Sequence, residues 1–295
     1  MNYPVYKFKK WIKLDKLNYN YLSKNPNAID YLRNNPDKIN WTFLSLNPNA
    51  ITLLEENKDK INWNYLSRNP NAIELLKKNI NKINWEELSE NPNAIEILED
   101  NQDKINWYLL SKNSGAIKLL SANKDKIYWS QLSANPNAIK ILEENPDKID
   151  WYRISSNPNA LKIIKNNQHK IKSNLTLALN TNPKIFKLCN IDNFMFWDLL
   201  SYNINAINML KKNKKKINWS ILSLNPNAIE LLEENQDKIN WDEISMNQNI
   251  FELDYKQMKQ NFEDLEEEII KEVMKPSRIF KNLELFNYDI DDMFD

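Results

Sequence analysis

Residues 41–62 read WTFLSLNPNAITLLEENKDKIN, and this stretch decides the fold. Asn47 before Pro48 reads as a helix N-cap followed by proline at the first helical position, where its missing N–H costs nothing. Ala50, Ile51, Leu53 and Leu54 then form an apolar stripe at helical spacing. Asn57 follows Glu55 and Glu56, where a left-handed C-terminal residue is wanted and asparagine can stand in for glycine. Asp59 and Lys60 mark a turn, Ile61 a buried anchor, and Asn62 a cap for a shorter helix carrying Trp63 and Leu66. The unit therefore reads as two short helices.

The same pattern recurs along the chain. Trp41, Trp63, Trp85, Trp107, Trp129 and Trp151 are spaced by 22 residues, Tyr19 stands one unit earlier, and Trp197, Trp219 and Trp241 resume the spacing. The Asn-Pro-Asn-Ala-Ile segment appears at 25–29, 47–51, 69–73, 91–95, 135–139 and 225–229, with degenerate copies at 113–117 and 203–207. Between 171 and 196 the register slips, and Asn182-Pro-Lys-Ile-Phe186 reads as a damaged copy three residues late. A unit this short cannot enclose its own apolar face, so it must stack on its neighbours. The spacing predicts an all-α fold: a right-handed α-solenoid of about eleven two-helix units with N- and C-terminal caps. A leucine-rich repeat would place a strand in each unit, which the proline-led Asn-Ala-Ile-Glu-Leu-Leu segment disfavours. Layers about 8–10 Å apart would make an elongated rod or arc on the order of 100 Å long. Residues 1–17 are expected to cap one end, 18–251 to form the solenoid, and 252–295 to form an acidic helical cap at the other. Within that last segment, 261–274 reads as an amphipathic helix, and the stretch from Pro276 is expected to close the solenoid.

Composition narrows the function. One glycine among 295 residues removes phosphate loops, dinucleotide fingerprints and nucleophile elbows. One histidine and one cysteine cannot build a repeated zinc or Cys/His site. His169 takes the turn position held elsewhere by Asp59 or Asp103 and reads as a substituted turn residue. Cys189 reads as a small core residue. Paired glutamates at one repeat position read as a solvated face rather than as acid and base. No enzyme activity, cofactor or metal site is expected. No apolar run is long enough for a membrane span, and the first residues lack the apolar core of a signal peptide. An intracellular, reducing compartment is therefore expected.

The formal charge is zero, but it divides into a basic repeat body and an acidic end. Arg33-Asn34, Glu55-Glu56, Lys77-Lys78 and Glu99-Asp100 alternate in sign at one repeat position, as do Lys211-Lys212 and Glu233-Glu234. Stacked side by side, these positions attract one another and offer no continuous positive stripe, which makes nucleic acid an improbable partner. The tryptophans read as core and the recurrent asparagines as caps. Specificity belongs to the variable positions one, two and five residues after each aromatic. On the short helix these lie opposite Trp and Leu and suit a protein partner. The candidate contact residues are Phe43, Tyr65, Arg68, Tyr108, Lys112, Gln131, Tyr152 and Arg153, with relaxed surface drift as the competing reading.

The repeated NW-x-x-LS-x-NPNAI-x-LLEEN-x-DKI, the entry YKFKKWIKLDKLNY and the ending MKPSRIFKNLELFNYDIDDMFD resemble a group of 22-residue Asn/Trp-rich repeat proteins of giant DNA viruses. The resemblance implies a viral protein at work in the infected cytoplasm, the viral factory or the virion. It carries over no catalytic residue. Two functions follow as expectations, a scaffold that binds a protein partner and a structural component of a particle or factory. An enzyme is the remaining class.

Overall fold

In the computed structural model, residues 4–171, 180, 182, 194–273 and 275 are described. The chain is an all-α repeat solenoid, with one two-stranded antiparallel pair, β1 (Tyr6–Phe8) and β2 (Phe251–Leu253). Lys9–Ile250 and the two flanking segments form separate compact units.

A representative repeat runs from the Trp41–Leu44 helix through a turn at Pro48 to the Ile51–Glu56 helix, and ends in a 3₁₀ turn at Lys58–Lys60. Leu44, Ala50 and Leu54 are fully buried, and Leu53 and Ile61 nearly so. Asn62 caps the next short helix as expected, its side chain accepting from the Tyr65 N–H. Asn57 differs from expectation. Its φ is −132°, not left-handed, and its Nδ2 donates to the Leu53 carbonyl at 2.9 Å. The amide side chain closes the helix end, so no residue has to adopt a positive φ there. This is how the repeat dispenses with glycine. The lone Gly115 serves close approach instead, since a Cβ there would lie 2.3 Å from the Pro92 carbonyl oxygen.

Asn47 differs from expectation too. The Ile51–Glu56 helix has Ala50 at its N-cap position with no side-chain bond. Asn47 and Pro48 therefore shape the turn before the helix rather than its first residues, and Asn47 also acts as mortar between units. Asn47 Oδ1 accepts from the Asn49 N–H at 3.0 Å, while its Nδ2 donates to the carbonyls of Ser23 (3.0 Å) and Asn25 (2.8 Å) in the preceding unit. Asn69, Asn91, Asn113, Asn135 and Asn157 repeat these two cross-unit bonds. All of these side chains are buried, which a side-chain amide tolerates only when hydrogen-bonded. A second ladder uses serine. Ser45 Oγ donates to the Trp41 carbonyl and accepts from the Asn62 N–H of the next unit, at 2.8 and 3.0 Å.

The ladder also passes through the irregular repeat and corrects its alignment. Asn180, not Asn182, donates to the carbonyls of Ser155 and Asn157, and Asn203 donates in turn to Asn180. Asn182 takes the place of Asn49, with its N–H on Asn180 Oδ1 and its Nδ2 on the Pro158 carbonyl. The ladder step is 23 residues on either side, so the slip is one residue at a time rather than three at once.

The solenoid is not an open rod. Asn25 of the first unit donates to the carbonyls of Ser245 (3.2 Å) and Asn247 (2.9 Å) of the last, the same pair of bonds that Asn47, Asn180, Asn225 and Asn247 make to their preceding units. Asn27 donates to Gln248, and the Asn18 N–H donates to Ser245 Oγ. Identical steps can reproduce the same contact between first and last members only if their rises cancel and their rotations complete a turn. The eleven ladder asparagines (25, 47, 69, 91, 113, 135, 157, 180, 203, 225 and 247) thus close a ring at about 33° per unit. Curvature of that size keeps the two ends together where a straighter stack would part them.

The Trp-bearing helices lie on the tighter side of the curve. Trp63–Arg68 packs on Trp85–Ser89, and Trp129–Ala134 on both Trp107–Lys112 and Trp151–Ile154. The Ile-led helices of successive units do not approach as closely. The Tyr255–Val273 helix starts earlier than the sequence suggested, with Asp254 Oδ1 accepting from the Gln257 N–H. Cys189 and the segment from Pro276 lie outside the described residues.

Candidate interaction surface

Trp197 is core, at 3% exposed, but most repeat tryptophans are not the deep core that the sequence implied. Trp41, Trp63, Trp85 and Trp107 are half-buried, and the lysine that ends the same repeat covers each ring face. Lys60 lies 4.6 Å from the Trp41 centroid, Lys82 4.5 Å from Trp63, Lys104 4.4 Å from Trp85 and Lys126 4.5 Å from Trp107. The series ends with Lys16 over Trp241 at 5.7 Å, across the seam of the ring. In these four units the lysine ends the 3₁₀ turn that closes the repeat and lies back over the tryptophan that opened it. These faces are occupied from within the chain and are not open stacking platforms.

The alternating charges pair as neighbours, with one adjustment. Arg33 meets Glu56 at 2.6 Å. Lys77 reaches Glu96 at 2.6 Å rather than Glu99 or Asp100, and Lys211 reaches Glu230 at 3.3 Å. A lysine side chain angled back along its helix finds the first turn of the next helix. The hydrogen bond from Lys77 holds the Glu96 carboxyl below its usual range, and the Glu96 carboxylate raises Lys77. Lys38 sits between Tyr19 and Tyr31. Hydrogen bonds to the two phenols raise Lys38, while burial and then the Tyr19 hydrogen bond push Tyr31 up.

The predicted contact residues divide into separate groups. Phe43 is half-buried, 6.1 Å from Tyr21 and capped by Lys24 at 4.2 Å. Tyr65 is at the margin of exposure. Arg68 is tied to Glu90 at 2.8 Å, and Lys112 bonds the same carboxylate. Gln131 is a correction: it is only 4% exposed, with Arg153 Nη1 3.5 Å from its Oε1. On the tighter side of the curve, side chains two residues after successive tryptophans meet across the unit boundary, and the longer arginine shields the glutamine. Arg153 is correspondingly half-buried. Tyr108 and Tyr152 remain open, at 43% and 63%.

The sequence reading missed Tyr128. It sits immediately before Trp129, where other units place the capping residue Asn18, Asn40, Asn62, Asn84, Asn106 or Asp150. Tyr128 caps nothing. Its side chain is exposed and packs edge-on against Tyr108 of the preceding unit, with centroids 5.5 Å apart. In the regular units this pair of positions is polar, as where Asn84 Nδ2 donates to Asn64 Oδ1. The departure from asparagine was the available signal.

Elsewhere, an open groove of about 600 Å³ lies between Trp197 and Trp219, bordered by Asp198, Lys215 and Lys216. His169 is exposed in the Gln168–Lys170 turn. Among the described residues no group of His, Cys, Asp and Glu could hold a metal ion, and no helix is long and apolar enough to cross a membrane. No protein-family model, curated protein or solved structure matches the chain. What the geometry defines is a class, the closed all-α repeat solenoid.

Proposed function

We propose that the protein is a non-enzymatic scaffold that binds a protein partner at the Tyr108–Tyr128 edge, with Tyr152 further along the array. The observation that carries this is Tyr128. An N-cap asparagine is worth about 1 kcal/mol relative to a residue that cannot cap, and this unit forgoes it for an exposed aromatic beside another. Exposed tyrosines supply rigid, amphipathic contact area, and aromatic residues are enriched in interface hot spots. Stability yielded at one repeat position, with no internal contact that needs it beyond the aromatic pair, fits a binding surface better than drift.

The test is Tyr128→Asn. The expected result is a gain of about 1 kcal/mol in unfolding free energy, together with loss of a partner captured by the unaltered chain from its native cells. Tyr108→Ala serves as a second variant. Capture indifferent to both substitutions overturns the assignment. A structural role in a virion or viral factory, which the giant-virus resemblance suggests, predicts enrichment in purified particles without a discrete soluble partner.

A further inference from the structure

The Tyr255–Val273 helix follows none of the repeat's rules. It is 19 residues long, and its described side chains are exposed or half-exposed on every face. Tyr255 is 72% exposed, Phe262 58% and Leu265 39%. With Met258 they recur at alternating steps of three and four, the seam spacing of a two-stranded coil, and Ile269 continues the register in the sequence. Most helical stability in proteins comes from packing an apolar face rather than from propensity, so a seam left open along this helix calls for a partner.

Charge indicates which partner. Lys256 and Lys259 are the only charged residues from 255 to 261, whereas 262–271 holds Glu263, Asp264, Glu266, Glu267 and Glu268 against Lys271. Two such helices side by side in parallel would align their acidic halves. Turned antiparallel, each basic half meets an acidic half. In that arrangement position 259 of one helix flanks the seam opposite position 266 of the other. Among the described residues Lys259 pairs with Glu263 of its own helix, at 3.5 Å, and its side chain is 78% exposed, so it can reach across.

We propose that this helix is a self-association surface. Two copies of the chain pair antiparallel through Tyr255, Met258, Phe262 and Leu265, with Phe262 near the twofold axis and Lys259 opposite Glu266 of the second copy. This does not depend on the partner surface at Tyr108 and Tyr128.

Sedimentation equilibrium of the full chain tests it. The expected result is a reversible monomer–dimer equilibrium abolished by Phe262→Glu. Lys259→Glu acts at two symmetric sites and should weaken the dimer about tenfold, and Glu266→Lys added to it should restore the affinity. Far-UV circular dichroism of each variant checks that the repeats remain folded. A chain that stays monomeric at all concentrations, with its own residues 276–295 covering the seam, overturns the proposal. So does a dimer indifferent to Phe262→Glu, or a double reversal that fails to restore pairing.

Discussion

Ring closure makes a strong prediction about Asn25. In an open solenoid its side chain would have no preceding unit, and Asn25→Ala would remove only the local bond to the Asn27 N–H, a capping loss of about 1 kcal/mol. In the closed ring Asn25 is fully buried and donates to the Ser245 and Asn247 carbonyls at 3.2 and 2.9 Å. The Asn247 carbonyl keeps a second donor, the Ile250 N–H at 3.3 Å, so the desolvation penalty falls mainly on Ser245. Two lost cross-unit hydrogen bonds at about 1 kcal/mol each, with one buried carbonyl left short of a partner, add about 2–4 kcal/mol to that capping loss. Asn91→Ala, in the middle of the array, removes the equivalent bonds to Ser67 and Asn69 at 3.0 and 2.9 Å. The two variants should therefore be destabilised equally, to within about 1 kcal/mol. Urea titration followed by circular dichroism measures both, with an unchanged m-value as the check that the same surface unfolds. A large loss for Asn91→Ala beside a near-neutral Asn25→Ala would refute closure.

The lysine-on-tryptophan ladder predicts that Lys104→Met costs about 0.5–1 kcal/mol and shifts tryptophan emission by uncovering Trp85. Unaltered emission and stability would mean that the contact contributes nothing. For the Lys77–Glu96 pair the sign follows from the carboxylate. Its folded pKa lies below the unfolded value, so its stabilisation is present above the unfolded carboxylate range and fades as pH falls through the folded one. Lys77→Met should raise the Glu96 titration midpoint, read by carboxyl NMR. A midpoint that does not move would break the assignment.

Much of the fold is legible in the sequence because it depends on local rules repeated many times. The 22-residue spacing of tryptophan, the Asn-Pro turn, the Leu-Leu stripe and the Asn62 cap each follow from backbone and burial preferences within one unit. The exposed side of the short helices was legible only in part. Tyr108 and Tyr152 are open as their positions suggested, but Gln131 is covered by Arg153 from the next unit, a fact of spacing between helices rather than of either sequence position. Tyr128 was written plainly as a departure from asparagine, yet its meaning depends on Tyr108, 20 residues earlier, standing beside it.

The sequence by itself determined that the chain is a stack of similar helical units, which aliphatic side chains fill their core, and which residues cap the short helices. It determined these because propensity, capping and apolar periodicity act within a few residues. Only the tertiary structure decided that the asparagines bond across units as well as within them, that lysines cover the tryptophans, that Asn180 replaces Asn182 in the ladder, and that Asn25 meets Asn247. Those outcomes depend on the rotation from one unit to the next. A small change in that angle leaves every local preference satisfied yet separates a closed ring from an open rod.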